Sequence, residues 1–127
     1  MGRQKNRRPT ERELGILRVL WERGPSTVRE VNAVMNEDRA TAYTTTLKFM
    51  QIMAEKGLVV RDESDRTHVY SAAVTQEQTQ KELVGDLLDK VFGGSAEKLV
   101  MRALSAKQVS ARQMAKIKKI LDEVEGE

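Results

Sequence analysis

Apolar residues recur every three or four positions through the first 57 residues, and this period predicts three helices. Residues 10–13 and 27–30 both read Thr-x-x-Glu, the spacing of a capping box, so they predict the starts of the first two helices. The first helix is expected to end at residues 24–25, a Gly-Pro pair, and the second at residues 36–38. The third helix is expected to end near Gly57, which would serve as its C-terminal cap.

After Gly57 the period changes from helical to alternating. Residues 58–61 form a short β-type run, residues 63–66 have the composition of a turn, and residues 67–71 alternate again. Two such runs around a polar turn predict a β-hairpin. The order helix, helix, helix, hairpin over residues 10–73 is typical of a winged helix-turn-helix domain.

From Thr75 onward the pattern is helical again, in three segments with wide apolar stripes. About 50 residues rarely bury a stable core alone, so association of two copies is predicted to cover these stripes. The alternative is that these helices fold back on the N-terminal domain. The fold class is therefore mainly α with a small β-hairpin, a winged helix-turn-helix domain followed by a three-helix dimerisation domain at residues 74–127. The predicted dimerisation residues are Leu83, Leu87, Leu88, Val91, Leu99, Leu104, Ile117 and Leu121.

The third helix has an unusual polar face. A helical projection from Thr41 places Thr41, Thr44, Thr45 and Lys48 on one side, opposite an apolar side. Short hydroxyl side chains allow close approach to another surface and can bond to phosphates or base edges, which predicts a helix that enters the major groove of double-stranded DNA. The alternative is that the start of this helix is simply rich in capping residues and contacts no binding partner. Tyr43 falls on the apolar side and is predicted to belong to the core, with a phosphate contact through its hydroxyl as the alternative.

Basic residues extend the predicted DNA-binding set. Residues 1–73 carry 13 Lys and Arg against 10 Asp and Glu, whereas the remainder is balanced. Residues 1–9 form a basic arm, interpreted either as a phosphate-binding segment or as a solvated flexible tail. The hairpin tip contains acidic residues as well, so a DNA contact and a solvated turn both stay open for it. The predicted set is Arg39, Thr41, Thr44, Thr45, Lys48, Arg61 and Arg66.

Composition argues against most other chemistry. The chain has no cysteine and a single histidine, His68, so no metal site, cofactor or thiol catalysis is predicted. His68 is interpreted as a wing residue, with a phosphate contact as the alternative, and Trp21 as a core residue whose indole N–H needs a partner. No phosphate-binding loop or other catalytic motif is present, so an enzyme is not expected. No apolar run is long enough to insert into a membrane, and a cytoplasmic location is expected. A protein-interaction module built on the same scaffold is the alternative function.

Several stretches resemble the penicillinase and methicillin-resistance repressor family of bacteria. They are "ILRVLWERGPSTVREV", "AYTTTLKFMQIMAEKGLVVR", "VYSAAVTQEQ" and "LLDKVFGGSAEKLV". The resemblance implies a homodimeric repressor of genes such as those for β-lactam resistance, bound to a palindromic operator. It also implies a regulatory protease that, in the best-known members, cuts between an Asn and a Phe. The corresponding positions here are Arg102 and Ala103, so the matching pair is absent. A related branch senses copper through cysteines, which this chain lacks.

Overall fold

A computed structural model describes residues 8–106 and 109–126. It divides into two compact units, Met1–Leu83 and Val84–Glu127. The predicted basic arm therefore falls mostly outside the described residues, which begin at Arg8. The predicted domain boundary after Ala73 remains a prediction.

The first unit begins with three helices in the predicted order. They are α1 (Glu11–Arg23), α2 (Val28–Met35) and α3 (Tyr43–Lys56). Both predicted capping boxes are confirmed, because each threonine hydroxyl accepts from the N–H three residues later and each glutamate reaches back to the threonine N–H. Gly57 ends α3 in the left-handed conformation with φ of 80°, which glycine adopts at little cost.

The hairpin follows directly. Strands β1 (Val59–Asp62) and β2 (Val69–Ala72) pair antiparallel, with Arg61 opposite Tyr70. On its other side β2 meets the loop between α1 and α2. Ser26 and Tyr70 exchange both backbone N–H to carbonyl bonds there, at 2.9 and 2.8 Å. This bridge fastens the hairpin to the helices, and a single residue pair has no sequence period that would have predicted it.

The core of the first unit is aliphatic, with one aromatic side chain fully inside. Each buried side chain of this size contributes about 1.5–3 kcal/mol relative to exposure. Trp21 is half-buried beside this core, and its Nε1 donates to the carbonyl of Val74 at 2.9 Å, which supplies the partner that the indole needs. The buried apolar residues are Ile16, Leu17, Val19, Leu20, Val28, Val31, Met50, Met53, Leu58, Val59 and Tyr70.

A largely buried ion pair joins the start of α1 to the end of α3. Lys56 Nζ lies 2.6 Å from Glu13 Oε1, and the Glu13 side chain is only 3% exposed. Lys56 Nζ also donates to the carbonyl of Arg8 at 3.0 Å. Glu13 therefore both caps α1 and holds the last turn of α3 against it.

The remaining helices are α4 (Gln76–Lys90), α5 (Ala96–Ala106) and α6 (Ala111–Glu125). The chain turns after α4 at Gly93 and Gly94, which have φ of 57° and 86°. Ser110 and Gln113 form a capping box at the start of α6. The observed elements confirm the predicted fold class, mainly helical with one hairpin. Among the described residues from Val84 onward, none is buried in the single chain.

Candidate nucleic-acid interface

The three consecutive threonines of α3 do not share one role. Thr46 points inward and is 1% exposed, and its Oγ1 accepts from Nδ2 of Asn32 on α2 at 2.8 Å. The same Asn32 nitrogen donates to the carbonyl of Thr41 at 2.9 Å. One amide on α2 therefore fixes both the first turn of α3 and the chain that leads into it. Thr44 and Thr45 are exposed.

An exposed stripe runs along α3 from these two threonines. Thr44, Thr45 and Lys48 lie beside Phe49 and Ile52 around a shallow hollow of about 350 Å³. These positions follow the spacing of one helix face, because residues advance by about 100° each. Ile52 is 37% exposed, so the far end of the stripe is apolar. The opposite side of α3 buries Thr46, Met50 and Met53 in the core.

Two predictions from the helical projection were wrong. Thr41 is not on α3, because the helix begins at Tyr43 with Ala42 as its N-cap. Thr41 is half-buried in the preceding turn, where its hydroxyl donates to the carbonyl of Arg39 at 3.2 Å. Tyr43 is not a core residue, since it is 46% exposed. Tyr43 lines an open hollow between α2, α3 and the hairpin, and a projection carries no information about such neighbouring elements.

The predicted cations lie in different surroundings. Arg39 is exposed in the turn before α3, in the same hollow as Thr41. Arg61 on β1 contacts Glu63 through its Nη2 at 2.9 Å, and hydrogen bonds to Tyr70 and then Glu63 raise the pKa of its guanidinium. Arg66 is exposed in the hairpin turn and forms no ion pair within the described part of the chain. Arg66 is thus the less engaged of the two predicted wing arginines.

The acidic residues of the hairpin are partly accounted for by local structure. Asp62 accepts the N–H of Ser64 at 2.9 Å, and this bond lowers the pKa of the Asp62 carboxyl. Glu63 pairs with Arg61. The hairpin tip therefore has no strong excess of positive charge.

The predicted dimerisation residues are uncovered to different degrees. Leu87, Val91 and Leu121 are 45%, 65% and 52% exposed. The other predicted residues are half-buried, namely Leu83, Leu88, Leu99, Leu104 and Ile117. Other exposed apolar residues of these helices belong to the predicted apolar stripes, namely Val84, Val100, Ile120 and Val124, whereas the pattern did not identify the exposed Met101.

Sequence reasoning also missed residues that shape the interface from outside α3. Asn32 was overlooked because an asparagine in a short helix carries no period and its partners lie 9 and 14 residues away. Arg29 was read only as part of a capping box, yet its guanidinium lies 5.9 Å from the ring centre of Tyr43.

Within residues 8–106 and 109–126, no three His, Asp or Glu side chains approach closely enough to hold a metal ion. None of the helices in these ranges combines the length and the apolar character needed to cross a membrane.

Comparison with known proteins gives the same direction as the geometry. A family model described as penicillinase repressor matches residues 9–123. The chain is also 34% identical over 77 residues to the transcriptional regulator BlaI from two strains of Mycobacterium tuberculosis, CDC 1551 and H37Rv. The match covers 60% of this chain and 56% of each relative, so the chain spans about half the length of the curated relatives it matches.

Proposed function

This chain belongs to the penicillinase repressor family, and on that premise we propose that it is a transcriptional repressor that binds a palindromic DNA operator as a homodimer. The family and the matched relatives are regulators of transcription and not enzymes. A regulator of this kind acts where bacterial DNA is, in the cytoplasm.

The observation that carries the proposal is the division of α3 into a buried side and an exposed stripe of small hydroxyls. Thr44, Thr45 and Lys48 form the first half of the stripe, while Asn32 ties the start of the helix to α2. A rigid helix with short polar side chains at its start suits the major groove, where hydroxyls meet base edges and an ammonium meets phosphate. Thr45 is expected to contribute one base contact and Lys48 one phosphate contact.

The cations around α3 extend the proposed interface. Arg39 precedes the helix and Arg66 lies at the hairpin turn, so both are assigned contacts with phosphates beside the groove. Thr41 is assigned a supporting role, because its carbonyl and hydroxyl are engaged with Asn32 and Arg39. Arg61 is assigned a weaker contact than Arg66, since Glu63 neutralises part of its charge.

The proposed homodimer is supported by what α5 and α6 leave uncovered. Neither helix buries a single described residue, although both carry apolar stripes. Leu121 and Val124 of α6 are 52% and 62% exposed, and covering such side chains with a second copy removes apolar area from water. A two-fold dimer matches a two-fold operator, in which each winged-helix unit binds one half-site.

Regulation by proteolysis would need a different site from that of the best-known family members. Arg102 and Ala103 are exposed but lie within the continuous helix α5. Cleavage of helical backbone requires the segment to open locally first. The absent Asn-Phe pair and the helical setting both argue against a cut between Arg102 and Ala103 as the means of derepression.

Selection of duplexes from a random pool, followed by sequencing, tests this function most directly. The expected result is a two-fold symmetric motif whose affinity falls steeply with salt and exceeds that of random duplex by about a thousandfold or more. Binding without sequence preference, or no binding, would instead favour the interaction module.

A further inference from the structure

A second pocket lies beside the proposed recognition stripe, enclosed by the start of α2, the start of α3 and the hairpin. Its volume is about 290 Å³. Three basic side chains line it, Arg29 from α2 and Arg66 and His68 from the hairpin, together with Tyr43 from α3. None of the residues that line the pocket carries a carboxylate.

The basic side chains of the pocket are poorly neutralised. Neither Arg29 nor Arg66 forms an ion pair within the described ranges, and Glu30, the neighbour of Arg29, is engaged by Arg23 at 3.4 Å. Asp62 is the acidic group whose charge acts on His68, and its carboxylate already accepts the N–H of Ser64. Two guanidinium groups thus reach the pocket from two elements without an ion-pair partner in the described ranges.

Arg29 is also oriented before any ligand arrives. Its guanidinium lies 5.9 Å from the ring centre of Tyr43, a distance at which a cation is attracted to an aromatic face. Arg29 forms no ion pair within the described ranges, so its N–H donors are available to an acceptor. A guanidinium, an imidazole and a phenol hydroxyl together suit the oxygens of a phosphate group.

We propose that this pocket holds a backbone phosphate of the operator, gripped by Arg29, Tyr43 and His68 in addition to Arg66. The inference rests on the proposed function. Chain order supports the proposed phosphate contact, because Tyr43 in the pocket is adjacent to Thr44 on the exposed stripe. A DNA strand that passes the exposed threonines would therefore bring its phosphates near the pocket. The grip positions the recognition helix and reads no base.

The test compares Arg29→Gln with Arg112→Gln in the full chain. Arg112 is exposed on α6 and is not among the residues that line the pocket, so its substitution removes the same charge without changing the lining. Affinity is measured for the selected operator and for random duplex over a salt series. Arg29→Gln is expected to weaken both by about tenfold and to lower the salt slope by about 1 per subunit, whereas Arg112→Gln changes neither.

Methylphosphonate substitution, which neutralises one phosphate at a time, identifies the contact. For wild type, each contacted phosphate is expected to lose about tenfold in affinity when it is neutralised, and at one of these positions in each half-site Arg29→Gln should lose no more. Tyr43→Phe keeps the ring beside Arg29 and removes the hydroxyl. We expect it to lower operator affinity by about threefold, and only while the phosphate at that position carries its charge. The proposal would be overturned if the affinity losses from Arg29→Gln and from phosphate neutralisation were additive at every phosphate position.

Two further outcomes separate the possible failures. If wild type does not prefer the selected operator to random duplex, the proposed function itself fails. If the preference is intact but the Arg29→Gln salt slope equals that of wild type, only the phosphate grip fails. A shift of the His68 resonance with inorganic phosphate, combined with an unchanged DNA slope, would show a free-anion site and also overturn the proposal.

Discussion

The hydrogen bond between Asn32 and Thr46 is predicted to set the position of α3. Thr46→Val replaces the hydroxyl with a methyl group of similar size. Asn32→Ala removes the two bonds that the amide nitrogen donates and the one that its oxygen accepts from Asn36. A net hydrogen bond contributes about 0.5–1.5 kcal/mol, and a buried group left unpaired costs about 1–3 kcal/mol. We therefore expect Thr46→Val to lower the free energy of unfolding by about 1 kcal/mol and Asn32→Ala by about 2 kcal/mol.

A double-mutant cycle isolates the shared bond. Urea unfolding is measured for both single variants and the double variant at one fixed protein concentration, because association shifts apparent stability. The expected coupling is about 1 kcal/mol, since the bond can be lost only once. Thr45→Val is the control, as it makes the same change one residue earlier on the exposed side, and it should show no coupling with Asn32→Ala. Additivity of the Thr46 pair within about 0.3 kcal/mol would refute the reasoning.

Three other predictions address the interface, the assembly and the acid limit. Thr45→Ala should weaken operator binding by about 1–3 kcal/mol in a binding titration and leave the unfolding midpoint unchanged. Unchanged affinity would show that Thr45 is not part of the DNA-binding surface. Leu88→Asp should convert the dimer to a monomer in sedimentation and weaken operator binding, and sedimentation equal to wild type would remove Leu88 from the interface. The backbone hydrogen bond at Thr27 lowers the pKa of Glu30 below its ordinary 4.5, so its contribution to stability is present above that pH and lost as pH falls through the folded pKa. Wild type should therefore lose stability relative to Glu30→Gln between pH 5 and pH 3 in urea unfolding, and a constant difference would contradict this.

Local signals in the sequence predicted most of the fold. Capping boxes and the Gly57 cap depend on residues three or four positions apart, so they can be identified without knowledge of tertiary contacts. The bridge between Ser26 and Tyr70 and the pair between Glu13 and Lys56 join residues 43 or 44 positions apart, and no local period reports them.

The candidate interface was predictable only in part, for a related reason. A helical projection assigned Thr44, Thr45 and Lys48 to the outer side, where the structure has them exposed. It has no means of recognising where the helix begins, so it also included Thr41 and assigned Tyr43 to the core. Knowledge of the neighbouring elements is needed to see that Thr46 faces Asn32.

Because the apolar stripes of α5 and α6 are uncovered in the single chain, the activity of the proposed repressor depends on its own concentration. Where two chains must meet before either covers these stripes, the amount of assembled regulator at low concentration rises with the square of the number of chains present. A twofold fall in the concentration of chains then removes more than half of the assembled form. Silencing by such a protein responds to gene dosage as a threshold, which a regulator complete in one chain would not provide.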